Sequence, residues 1–134
     1  MAPALQPDFA HLKEMLAAHA QRYLVSPDSP NHYALEGDIG PATLKAWKGK
    51  PKRPRIPIAW VTIEKAYVSF HLMAVSDPRV RKGLSPALAA RLQGKTCFNF
   101  RTVDPVLFAE LDQLTARALA AFEKAGFVVS RQSA

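Results

Sequence analysis

The chain has 134 residues, of which 49% are hydrophobic and 22% charged, the size and apolar content of one globular domain spanning residues 1–134. Its 18 Lys and Arg against 11 Asp and Glu leave a formal charge of +7, which suits acidic or phosphate-bearing partners without selecting one. No apolar run approaches the roughly 20 residues of a membrane span, the opening MAPALQPDFAHLKEM lacks a secretion-signal pattern, and the single cysteine excludes an internal disulfide, so a cytoplasmic protein is expected.

Taken in chain order, Phe9, Leu12, Leu16, Ala20 and Tyr23 or Leu24 recur at helical spacing behind Pro7, which predicts a first helix over residues 8–24 with Asp8 as its cap. SPDSPN, residues 26–31, reads as a turn. A short strand at residues 33–35 leads to a turn at Gly37, Gly40 and Pro41, and residues 43–48 read as a further strand. KGKPKRPR, residues 48–55, has no apolar residue and two prolines, so it is expected to be an exposed loop. Two strands follow, residues 57–63 and 67–75, folded back on each other around Glu64 and Lys65. After the loop SDPRVRKG, Ser85 and Pro86 supply a cap and first-turn proline for a short helix over residues 86–92 that Gly94 ends. Residues 96–100 read as a strand. Asp104 and Pro105 repeat the cap-plus-proline start for a long helix ending near Gly126, and residues 127–129 are an edge strand or a packed tail. This order predicts an α+β sandwich: an antiparallel sheet covered on one face by the N- and C-terminal helices.

Strand alternation separates Val68, Phe70 and Leu72 from Tyr67, Ser69, His71 and Met73. If Phe98 and Phe100 face the helices as well, then Trp60, Tyr67, Ser69, His71, Cys97 and Asn99 share the opposite face. Such a polar-aromatic groove could hold a small ligand through stacking and a few hydrogen bonds. The alternative is that Cys97 is a small buried residue and His71 a satisfied strand histidine. Neither sits in an activating motif, so no catalytic residue is assigned.

A second cluster, Lys45, Lys48, Lys50, Lys52, Arg53 and Arg55 with Trp47 among them, could grip phosphates and stack a base. It lacks a recognition helix, an aromatic RNA-binding pattern or a zinc module, so weak nucleic-acid binding is the alternative function. His11 and His19 are too far apart along one helix to share a metal, and no CxxC or HxxxH spacing occurs, so no metal ligand or cofactor is assigned.

The words AWKGK, IAWVTIEKAYVSFHL, SPALAARLQGKTCFNF and DPVLFAEL, spread over residues 42–127, resemble the YdhG-like family of small uncharacterised bacterial domains. The resemblance implies a frataxin-like α+β sandwich and, because some members are regarded as iron chaperones, an iron or metal chaperone role as a further alternative. It carries over no catalytic residues. The expectation is a non-catalytic module that binds an unidentified small ligand or protein, of unassigned oligomeric state.

Overall fold

The computed structural model describes residues 5–129. Among these residues, five α-helices and seven strands follow in order: α1 (Gln6–Ala17), β1 (Leu24–Ser29), β2 (His32–Ile39), α2 (Pro41–Ala46), β3 (Arg55–Ile63), β4 (Val68–Leu72), α3 (Pro78–Arg81), α4 (Pro86–Ala89), β5 (Leu92–Gln93), β6 (Cys97–Phe100), α5 (Pro105–Lys124) and β7 (Val128–Val129). The strands form one antiparallel sheet in the order β1-β2-β3-β4-β6-β5, and β7 pairs with the end of β2 through Val128↔Ile39 and Val129↔Asp38. The fold is the α+β sandwich that the order of elements predicts.

Alternation decides which face of the sheet is core. Val61 pairs with Phe70 and Phe70 with Phe98, so the three side chains stand together on one face, each fully buried. Leu12 and Leu16 of α1 and Leu111 and Leu114 of α5 close over that face, and they too are fully buried. Phe108 of α5 meets Phe100 of β6 edge to face, with ring centroids 4.9 Å apart. One contiguous cluster thus joins both terminal helices to the four central strands.

The helix starts follow capping chemistry where a side chain can reach. Ser85 Oγ accepts from Leu88 N–H at 3.1 Å, and Asp104 Oδ1 accepts from Leu107 N–H at 3.1 Å. α1 differs from expectation. It begins at Gln6, so Asp8 lies inside the first turn instead of capping it, and its side chain is buried. Among the described residues Asp8 Oδ2 has no hydrogen-bond partner, and burial pushes the carboxyl pKa up, while the N-terminal helix position favours negative charge. The helix also ends at Ala17, and a 3₁₀ turn at Ala20–Arg22 carries the chain into β1.

Four other expectations are corrected. Residues 43–48 are not a strand: Gly40 is extended, Pro41 occupies the first helical position, and Leu44 N–H reaches the Gly40 carbonyl at 3.1 Å to start α2. Ala, Leu and Lys favour the helix as well. The turn-rich residues 26–29 belong to β1, whose register shifts between Val25 and Asp28; Pro27 falls in that irregular stretch of an edge strand, where a missing N–H is tolerated. β4 stops at Leu72, and Met73 to Ser76 form a 3₁₀ turn that takes Met73 off the sheet face. The short helix ends at Ala89, and Leu92 with Gln93 pairs against β6.

Candidate functional site

β3, β4 and β6 lie side by side, and their registers align two rows across the sheet: Trp60, His71 and Cys97 in one, Thr62, Ser69 and Asn99 in the next. All six point away from the core. Trp60 and His71 stack nearly parallel, with centroids 4.6 Å apart and planes inclined by 13°. Ser69 Oγ lies 3.0 Å from His71 Nε2 and 2.6 Å from Cys97 Sγ, and Cys97 Sγ donates to Asn99 Oδ1 at 3.2 Å. One assignment of protons satisfies every contact: His71 Nε2–H to Ser69, Ser69 O–H to Cys97, and Cys97 S–H to Asn99.

That chain of donors limits the chemistry. The Cys97 thiol is spent as a donor, and burial pushes its pKa above the ordinary thiol range, with Glu64 adding to the rise and the Ser69 hydrogen bond opposing it. A thiolate nucleophile needs the reverse shift. His71 contacts Ser69 instead of withdrawing a proton from Cys97, so the cluster is an ordered polar surface without an activated nucleophile.

Burial also lowers the His71 pKa below its ordinary 6.5, Glu64 opposing and His32 assisting. A histidine depressed on folding favours the native state when neutral. Its contribution is fully present above the ordinary pKa and is lost as the pH falls from there through the folded value. The denaturant midpoint should therefore drop between about pH 7.5 and about pH 5, and His71→Gln should show a shallower drop. Equal slopes in the two proteins would remove His71 from this linkage.

Tyr67 stands just before β4, where its carbonyl accepts from Glu64 N–H at 2.8 Å to close the turn from β3. With Asn99 it lines a hollow of about 350 Å³, together with Ala90, Arg91, Gln93 and Arg101. Arg91 and Arg101 are exposed and, among the described residues, take part in no ion pair. The structure brings Trp60, Ser69, His71, Cys97 and Asn99 together on one face, and a concavity lies at its Tyr67 end. Arg101 continues the 97, 99 alternation by one step and was legible in that pattern. Arg91 and Gln93 were not, because a two-residue strand has no periodicity to read.

The basic segment is divided by the fold. Lys45 is exposed on α2; Lys48, Lys50, Lys52 and Arg53 are exposed on the loop, which turns through positive φ at Lys48 and Gly49. Arg55 is paired with Glu36 at 3.3 Å. Trp47 is half-buried, with Lys52 Nζ 5.9 Å from its ring centroid. His11 meets Phe108 edge-on and His19 lies 3.0 Å from Asp112; among the described residues no group of three or more His, Cys, Asp or Glu is gathered to hold a metal. No described helix is long and apolar enough to cross a membrane.

No family model, no curated protein and no solved structure matches this chain.

Proposed function

We propose that this chain is a non-catalytic ligand-binding domain of the cytoplasm that takes a small planar anion on the uncovered face of its sheet. The observation that carries it is the Tyr67 hollow, lined by Tyr67, Asn99 and Gln93 together with Arg91 and Arg101, which among the described residues take part in no ion pair. A planar ligand stacks on Tyr67, the amides meet its polar edge, and the two guanidinium groups hold a phosphate or carboxylate with charge-assisted hydrogen bonds. The Ser69, His71, Cys97 and Asn99 network keeps Asn99 in place from the other side. A protonated thiol within that network supports binding over catalysis, and a chain with one cysteine, which has no second to pair with, suits a reducing compartment.

Adenosine 5′-monophosphate and phenyl phosphate are suitable probes, with amide NMR as the readout. Saturable shifts are expected at Tyr67, Ser69, Asn99 and Arg101, and an Arg91→Gln, Arg101→Gln double variant should weaken them about tenfold or more, since each hydrogen bond to a charged group is worth roughly 1.5–3 kcal/mol. The proposal fails if neither probe shifts these residues at about millimolar concentration.

A further inference from the structure

A second cleft shares no lining residue with the Tyr67 hollow. It has a volume of about 320 Å³ and opens between α2, the 3₁₀ turn at Met73–Ser76 and the C-terminal end of α5. Trp47, Ile56, Met73 and Phe122 are among its walls, and Phe127 stacks on Phe122 with centroids 4.9 Å apart. Ala46, Ala121 and Ala125 line it where larger side chains would fill the space.

The polar side chains of the lining are already committed to the protein. Thr43 Oγ1 donates to the Phe127 carbonyl at 2.6 Å, and Ser76 Oγ donates to the Met73 carbonyl at 2.9 Å. Asp77 accepts from Arg79 through both carboxylate oxygens, at 3.3 and 3.1 Å. Whatever enters must therefore present apolar surface. Beside the cleft, and sharing Asp77, Ala121 and Ala125 with it, is a shallower hollow of about 460 Å³ that contains Arg117 and Lys124. These two cations lie two helical turns apart on the stripe of α5 that carries Ala121, and among the described residues neither has an ion-pair partner.

We infer that this cleft is a second ligand site, separate from the Tyr67 hollow, for a small amphipathic carboxylate whose apolar body lies between Trp47 and Phe122 and whose anionic head meets Arg117 and Lys124. Apolar enclosure supplies the affinity, and the paired cations select the head group. An aliphatic amine of equal length would bring its charge to the wrong neighbours.

The chain contains two tryptophans, so a Trp60→Phe protein reports on Trp47 alone, and that substitution lies outside the cleft. Titrated with octanoate, 1-octanol and octylamine, its fluorescence should change saturably with octanoate and much less with octylamine. Arg117→Gln with Lys124→Gln should weaken octanoate about tenfold, the worth of two partly exposed ion pairs, and leave octanol unchanged. Ala125→Phe, at an exposed position of the lining, should block all three compounds while the denaturant midpoint stays near that of the parent. Equal binding of octanoate and octylamine would overturn the head-group assignment, and no binding of any of the three would overturn the site. Neither result bears on phosphate binding at Tyr67, which is read separately by NMR.

Discussion

Phe98→Ala should lower the unfolding free energy by about 3–5 kcal/mol, the usual cost of removing a buried phenyl ring together with the cavity it leaves. Phe98 is fully buried, and it pairs with Phe70 on β4 and with Leu92 on β5. Both neighbours are anchored in a hydrogen-bonded ladder, so the site cannot collapse by moving a single side chain. The loss should appear as a lower denaturant midpoint with an unchanged slope, because the surface exposed on unfolding is nearly the same. Asn99→Ala, one residue along on the other face and half-buried, is the paired measurement and should cost well under half as much. A Phe98→Ala loss below about 0.5 kcal/mol would mean that the faces of β6 are inverted.

Gly40→Ala is expected to be nearly as damaging, for a reason that no count of buried area would reveal. Gly40 N–H donates to the Phe127 carbonyl at 2.9 Å, and Ala42 N–H donates to the Gly126 carbonyl at 2.8 Å, so the start of α2 is pressed against the turn that ends α5. A Cβ at Gly40 would overlap the Gly126 carbonyl oxygen and sit 2.8 Å from its carbon. Backbone cannot step aside as a flexible side chain can, so α2 and β7 must separate, at a cost of about 3 kcal/mol. Gly83→Ala is the control: there the added Cβ meets only the tip of Arg117, at 2.8 Å, and the expected loss is under about 1 kcal/mol. Equilibrium unfolding of the two variants side by side decides the matter. Equal stabilities would show that the contact between α2 and the Gly126 turn does not hold the fold together. Because α2 and Phe127 form two walls of the Trp47 cleft, Gly40→Ala should also abolish octanoate binding.

Local chemistry was enough for much of this molecule. Asp104 with Pro105 and Ser85 with Pro86 mark their helix starts, since a cap and a first-turn proline act on backbone groups only a few residues away. The two-residue period around Phe70 and Phe98 assigns core and outer face, and with them the grouping of Trp60, Ser69, His71, Cys97 and Asn99, because the pleat allows only two directions. Other elements depended on distant partners. β1 carries Pro27 and few apolar residues and exists because β2 offers it an edge to pair with. α2 has too few residues for its apolar pattern to distinguish helix from strand, and its place is held by Gly126 and Phe127, more than eighty positions away in sequence. Arg91 stands just before a two-residue strand with no period of its own, and its carbonyl accepts from Asn99 N–H on the neighbouring strand. The Trp47 cleft is the extreme case: its walls come from four separate stretches of chain, and an empty space between side chains has no signature in any of them. The sequence alone therefore determined the sheet faces and the starts of α4 and α5, which are local consequences of backbone geometry and capping. Tertiary packing alone decided where the surface is concave and which cations border it, because those properties belong to the distances between elements.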